Sequence, residues 1–210
     1  MKRVSYIFLI ILTFISCKER SKNNIKYKTE SREVLFFENS GIKNEQAREI
    51  FIEGLDYVEI ENFESAKRKF IQADEIESKN PIILNAISQT EIRLGNVAKS
   101  NKILLKTFLI DSLYLPTYVN LGQNYMQIRD YEKAKEILLK GKKLSTNKNL
   151  HMKSVLLLNL SIAYNNLGDF KSGLKYSMQA IEISQDKKIT DFASKVKKQS
   201  EEGLLKQNRK

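Results

Sequence analysis

Residues 121–134 read LGQNYMQIRDYEKA, and this stretch decides the fold. Gly122 is followed three positions later by Tyr125, on the same side of a helix, since i and i+3 share a face. Asp130 and Tyr131 then make a turn and open a second helix, because Asp is favoured at a helix start by capping and by the dipole. Ala134, one turn into that second helix, is small again. The pattern describes two antiparallel helices, A and B, that approach closely where their small residues meet.

The same arrangement recurs on both sides. Upstream stand Gly54, Tyr57, Asn62, Phe63 and Ala66; downstream stand Ser161, Tyr164, Gly168, Asp169, Phe170 and Gly173. A weaker copy lies between the first two, with Ser88, Glu91, Gly95, Asn96, Val97 and Ser100. Gly54 to Ser88 and Ser88 to Gly122 are each 34 residues, and Gly122 to Ser161 is 39. The five additional residues are expected to lengthen the loop around Ser145-Thr146-Asn147-Lys148-Asn149. One hairpin cannot bury its apolar face alone, so the units must stack.

These positions resemble the tetratricopeptide repeat family, whose period is 34. The resemblance spans residues 44–184 and implies an all-α fold: a right-handed α–α superhelix of about four hairpins (47–80, 81–114, 115–148 and 154–186, within 45–186) and a basic C-terminal capping helix and tail (187–210). The periodicity predicts helices at 45–60, 64–77, 81–94, 97–110, 115–128, 131–144, 151–167, 170–184 and 187–206. Pro81 and Pro116 fall at helix starts, where proline is tolerated. In the last helix Ile189, Phe192, Val196 and Leu204 or Leu205 should face inward and Lys195, Lys197 and Lys198 outward. Glu91 stands where other copies carry an aromatic; an acid in that crowded interior is expected to pair with a neighbouring cation rather than to catalyse.

The bulk composition agrees. Gly and Pro number 8 and 2, which favours helices over a turn-rich β fold. A single Cys excludes an internal disulfide and a cysteine zinc cluster, and a single His, His151, argues against histidine metal sites and Ser–His catalysis. Neither GxGxxG, GxxxxGK[ST] nor HExxH occurs. No cofactor and no enzymatic activity are expected. The net charge of +11 favours anionic surfaces without specifying one.

The first residues are Met1, Lys2 and Arg3, followed by an apolar run to Ile15 that Lys18, Glu19 and Arg20 end. The run is too short for a spanning helix and fits a signal peptide at 1–16. Phe14-Ile15-Ser16-Cys17 resembles a bacterial lipobox, although Phe14 replaces the usual Leu. The resemblance implies a diacylglycerol on Cys17 and a mature chain tethered to a membrane of the cell envelope, the outer membrane first among them. A polar linker with an apolar island, Val34-Leu35-Phe36-Phe37, would occupy the rest of 17–44.

In this family an extended peptide or a helix lies on the concave surface formed by helices A. Transferred position by position, the groove residues are Phe51, Leu55 and Val58; Asn85, Gln89 and Ile92; Val119, Asn120, Gln123 and Met126; and Leu158, Asn159, Ile162 and Asn165. An amide side chain both donates and accepts, as a peptide backbone requires. The Lys and Arg positions of the subfamily that clamps a C-terminal carboxylate hold Val155 and Asn159, so that clamp is not expected. The expected function is a non-enzymatic membrane-tethered adaptor or scaffold for a protein or peptide partner, with a glycan-binding accessory lipoprotein as the alternative. Nucleic acid would need a cytoplasmic chain, against which the lipobox argues. Oligomeric state is not legible.

Overall fold

The computed structural model describes residues 41–147 and 149–209. The expectations for the signal peptide, Cys17 and the apolar island at 34–37 lie outside the described residues. Within them nine helices follow one another: α1 (Glu45–Glu59), α2 (Phe63–Ile76), α3 (Pro81–Arg93), α4 (Val97–Ile110), α5 (Leu115–Gln127), α6 (Tyr131–Leu144), α7 (Leu150–Asn166), α8 (Phe170–Ile183) and α9 (Lys187–Gln207). Successive helices pack pairwise into four antiparallel hairpins, and α9 closes the stack against α8 and α7. The architecture is an α–α superhelix.

Polar side chains start most of the helices. Asn44, Asn62, Asn80, Asp130, Asn149, Asp169 and Asp186 each accept a hydrogen bond from a backbone N–H of the first turn. These caps offset donors that a helix start leaves unpaired. Asn96, before α4, makes no such bond. Its Nδ2 donates instead to Glu91 Oε2 at 2.7 Å.

Each A–B turn passes through one left-handed residue: Glu61 (φ 57°), Gly95 (85°), Arg129 (63°) and Gly168 (80°). The turn geometry is therefore common to all four hairpins, while glycine, which adopts it without steric cost, serves only two.

The small residues act at close approaches. A Cβ on Gly54 would run into the Phe70 ring, and one on Gly122 would lie 2.5 Å from Leu138 Cγ. Ser161, at the equivalent position, donates through Oγ to the Gly173 carbonyl across the hairpin at 2.7 Å. Each helix B turns one narrow stripe inward: Ala66, Phe70 and Ala73; Ser100, Leu104 and Thr107; Ala134, Leu138 and Gly141; Gly173, Ser177 and Ala180. Phe51 meets Phe70 with ring centroids 4.9 Å apart. Burying one such side chain stabilises the fold by about 1.5–3 kcal/mol.

The insertion in the fourth hairpin corrects one expectation. The connection from Leu144 to Leu150 is one residue longer than the two preceding inter-hairpin connections, while α7 has 17 residues against 13 in α3 and α5. Four of the five additional residues thus extend a helix and one extends the loop. Asn149 makes this possible by capping the Met152 N–H at 2.9 Å.

At the start of the stack, Glu77 ties three elements together. Its carboxylate accepts from Asn44 N and from Asn80 Nδ2, both at 2.6 Å, and Asn80 Nδ2 also donates to the Gly41 carbonyl. Burial works against the charge, yet these hydrogen bonds and nearby Lys43 hold the carboxyl below its usual range. At the other end Ile189, Phe192 and Val196 are buried under α9, Leu204 is half-buried and Leu205 is exposed. The Phe170 ring fills the space left by the absent side chain of Gly203.

Candidate functional site

The helices A after the first differ from helices B in how they are covered. In α3 every residue from Ile83 to Ile92 is buried, and long buried runs also occupy α5 (116–122) and α7 (154–161). Such runs pass around the whole circumference of a helix, so they include the polar residues that the repeat positions on the inner side. Asn85, Gln89, Asn120 and Asn159 are all buried.

The amides form links between successive A helices. Asn120 Nδ2 donates to Asn85 Oδ1 at 2.6 Å, joining α5 to α3. Gln123 Nε2 reaches Asn159 Oδ1 at 3.4 Å, joining α5 to α7, and Asn159 Nδ2 donates to the Val155 carbonyl. Asn124, which the sequence reading did not single out, donates to Ser100 Oγ and Asn101 Oδ1, both at 2.8 Å, and fastens α5 to α4. Its signal was available: Asn124 stands beside Gly122 at the level where the hairpins touch.

Gln89 is the exception in this row. It lies one turn beyond Asn85 in α3, and both Nε2 and Oε1 are buried without a hydrogen-bond partner. An unpaired buried amide costs free energy, and both polar atoms of Gln89 are closed to solvent. Thr117 Oγ1, near the start of α5, is also buried and unpaired.

The remaining groove positions divide. Leu55, Val58, Gln123, Met126 and Ile162 are half-buried, and Ile92, Val119 and Leu158 are buried apolar residues. Two positions are corrected. Phe51 belongs to the core of the first hairpin, held there by its ring contact with Phe70. Asn165 serves the cap helix: its Oδ1 accepts from Ser200 Oγ at 2.9 Å and its Nδ2 donates to the Val196 carbonyl. Gly173 has no side chain because Asn165 Oδ1 occupies that space.

Glu91 is buried and structural. It lies 3.7 Å from Lys67 Nζ of α2 and accepts from Asn96, so the acid that displaced an aromatic is matched by a cation and an amide. Tyr164 and Tyr176 stack at 5.4 Å, with Lys135 over one ring and Lys142 over the other. Among the described residues no cluster of His, Cys, Asp and Glu could hold a metal ion, and no helix is long and apolar enough to cross a membrane.

Antiparallel helix pairs stacked at a 34-residue step, with small residues at each crossing and amides between the inner helices, define a helical-hairpin repeat protein. Residues 115–148 and 155–187 match the tetratricopeptide repeat. Two of the four hairpins are thus tetratricopeptide repeats, and the other two share their helical-hairpin geometry. Its fold is similar to that of TTC0263, a thermophilic repeat protein of Thermus thermophilus, at 16% identity and a TM-score of 0.64 over 76% of this chain and 89% of that one. It is also similar to pilF of Pseudomonas aeruginosa, at 18% identity and a TM-score of 0.61 over 75% of this chain and 73% of that one. YrrB, described as having an unusual peptide-binding site, shares 16% identity and a TM-score of 0.55 over 71% of this chain and 74% of that one. No curated protein matches the chain in sequence.

Proposed function

We propose that this chain is a non-enzymatic adaptor, tethered to a membrane of a bacterial cell envelope through a lipid on Cys17, that holds an extended segment of a partner protein along α3, α5 and α7. The observation that carries the reading is Gln89, a buried amide with neither valence used. Once the Gln89 side chain turns out of its buried position, a peptide unit of the partner would accept from its Nε2 and donate to its Oε1. The half-buried Leu55, Val58, Met126 and Ile162 would receive apolar side chains of the partner. The tether draws its support from the order of basic start, apolar run and Ser16-Cys17. The glycan alternative has weaker support, because the stacked pair Tyr164 and Tyr176 is covered by lysines rather than open as a platform.

The test combines stability with binding. Gln89→Met removes two unpaired polar atoms at similar volume, so the free protein should become more stable by about 1–3 kcal/mol in chemical denaturation. The same variant should bind more weakly to a partner recovered from detergent-solubilised envelopes, by about tenfold if the lost bonds are worth some 1.4 kcal/mol. A stabilised variant with unchanged affinity would remove Gln89 from the site.

A further inference from the structure

The outward face of α4 differs from that of the other three helices B. Carboxylates occur within α2 (Glu64, Asp74, Glu75), α6 (Glu132, Glu136) and α8 (Glu182), whereas α4 has none. It carries Lys99, Lys102 and Lys106 instead, all exposed. On α2 and α6 most of the lysines are paired: Lys67 with Glu64, Lys69 with Glu53, Lys133 with Asp130, Lys135 with Glu132, Lys140 with Glu136. Among the described residues none of the three α4 lysines has an ion-pair partner. Asp111, at the end of the helix, spends Oδ1 on the Leu113 N–H.

Between these lysines lie large aliphatic side chains open to solvent: Leu105 is 51% exposed, Leu109 86%, Ile110 38% and, just past the helix, Leu113 69%. Ser100, Leu104 and Thr107 take the buried stripe on the opposite side. Core packing therefore does not account for Leu105, Leu109 and Leu113, which recur every fourth residue along one ridge. Apolar side chains exposed together mark a contact surface.

The chemistry of the ridge selects its occupant. Unpaired ammonium groups want anions, and the leucines want an apolar phase within a side chain's length of them. An anionic bilayer supplies both, phosphates at the surface and acyl chains beneath, and a fluid surface conforms to an exposed ridge without a matching pocket. A second copy laid on the same ridge would set lysine against lysine. We propose that α4 lies against an anionic membrane surface, with Lys99, Lys102 and Lys106 on lipid phosphates and Leu105, Leu109, Ile110 and Leu113 in the headgroup region. The inference rests on the tethered reading for the nearness of a bilayer. It adds an orientation, in which one outward helix faces the membrane and the inner helices A are turned away from it.

The chain has no Trp, so a single introduced indole reports alone. The full chain carrying Leu109→Trp, or Glu136→Trp on the outward face of α6, is reconstituted with phosphatidylglycerol or phosphatidylcholine vesicles, with and without brominated acyl chains. In anionic vesicles the indole of Leu109→Trp should shift to the blue and be quenched by the brominated lipid, while that of Glu136→Trp should do neither. Adding Lys99→Gln, Lys102→Gln and Lys106→Gln should remove the shift and the quenching, with the helical circular-dichroism spectrum unchanged. Vesicle-bound protein with no shift at Leu109→Trp overturns the docking and leaves the tether standing. Protein retained by no vesicle overturns both. A shift that grows with protein concentration in the absence of lipid gives the ridge to a second copy, and equal quenching at the two positions shows no preferred face; either overturns the inference.

Discussion

Helices α3 and α4 are adjacent, antiparallel and similar in length, yet one is buried along ten consecutive residues and the other at three. Helix α4 follows the rule for an amphipathic helix, with an inward stripe, half-buried flanks and an outer face in water. Helix α3 buries Asn85, Ser88, Gln89, Thr90 and Glu91 together with its aliphatic residues. The inner helices of the stack thus hold polar groups that need partners, whereas the outer helices hold only what the hairpin crossing requires. Damage to the two classes should differ in kind: outer positions fail through lost packing, inner ones through polar groups left unpaired.

The largest effect expected from this difference is at Leu138 of α6, which fills the space over Gly122. Leu138→Ala should cost about 2–5 kcal/mol in a denaturant titration, and Leu105→Ala, on the exposed face of α4, should stay within about 0.5 kcal/mol of wild type. Equal losses at the two leucines would break the distinction between stripe and ridge.

Next in size is the inner amide link. Asn120→Ala leaves Asn85 Oδ1 without its donor and should destabilise by about 1–3 kcal/mol; replacing Asn85 and Asn120 together with Leu should recover part of that loss. A double variant less stable than the single one would mean that volume, not polarity, governs the inner helices.

A smaller change of opposite sign is expected at a turn. Arg129 is left-handed, so Arg129→Gly should raise stability by about 1 kcal/mol, while Gly95→Ala, at the equivalent turn, should lower it by a similar amount. Thermal melts of both decide whether the four turns are equivalent.

The smallest effect concerns pH. The Glu77 carboxyl is lowered in the folded chain, so its contribution is fully present above the ordinary carboxylate value and is lost as pH falls through the lowered one. As pH falls below the ordinary carboxylate value, stability should therefore drop less steeply in Glu77→Gln than in wild type. Parallel profiles would show that Glu77 does not couple α1 to the joint between α2 and α3.

Much of the fold is legible in the residues. Seven of the helices start at the expected position, because Asn and Asp caps and the prolines at 81 and 116 mark most of those starts chemically. The four crossings are legible as well, since Gly54, Ser88, Gly122 and Ser161 are small for a steric reason that repeats. The surface is less legible. A sequence pattern that reads polar as exposed expects Asn85 and Asn159 on an open wall, but each finds a partner on its own or the next helix. Phe51 and Asn165 occupy groove positions in the repeat, and what decides their roles is a contact with Phe70 or Ser200 that spacing does not encode. The ridge of α4 is hidden for the converse reason: spacing alone does not show that the buried stripe is complete without Leu105 and Leu109.

The additional turn of α7 sets which insertions such a chain can absorb. Four residues advance a helix by about 6 Å and return its azimuth to within about 40° of where it began. The incoming connection then joins the helix on nearly the same side, and Ser154 and everything after it keep their neighbours. Two residues would bring the connection to the far side, about 200° around, where it would have to cross the helix to reach α6. Length variation at this joint is therefore quantised in whole turns: removing four residues from the start of α7 shortens a strut, and removing two unhinges it.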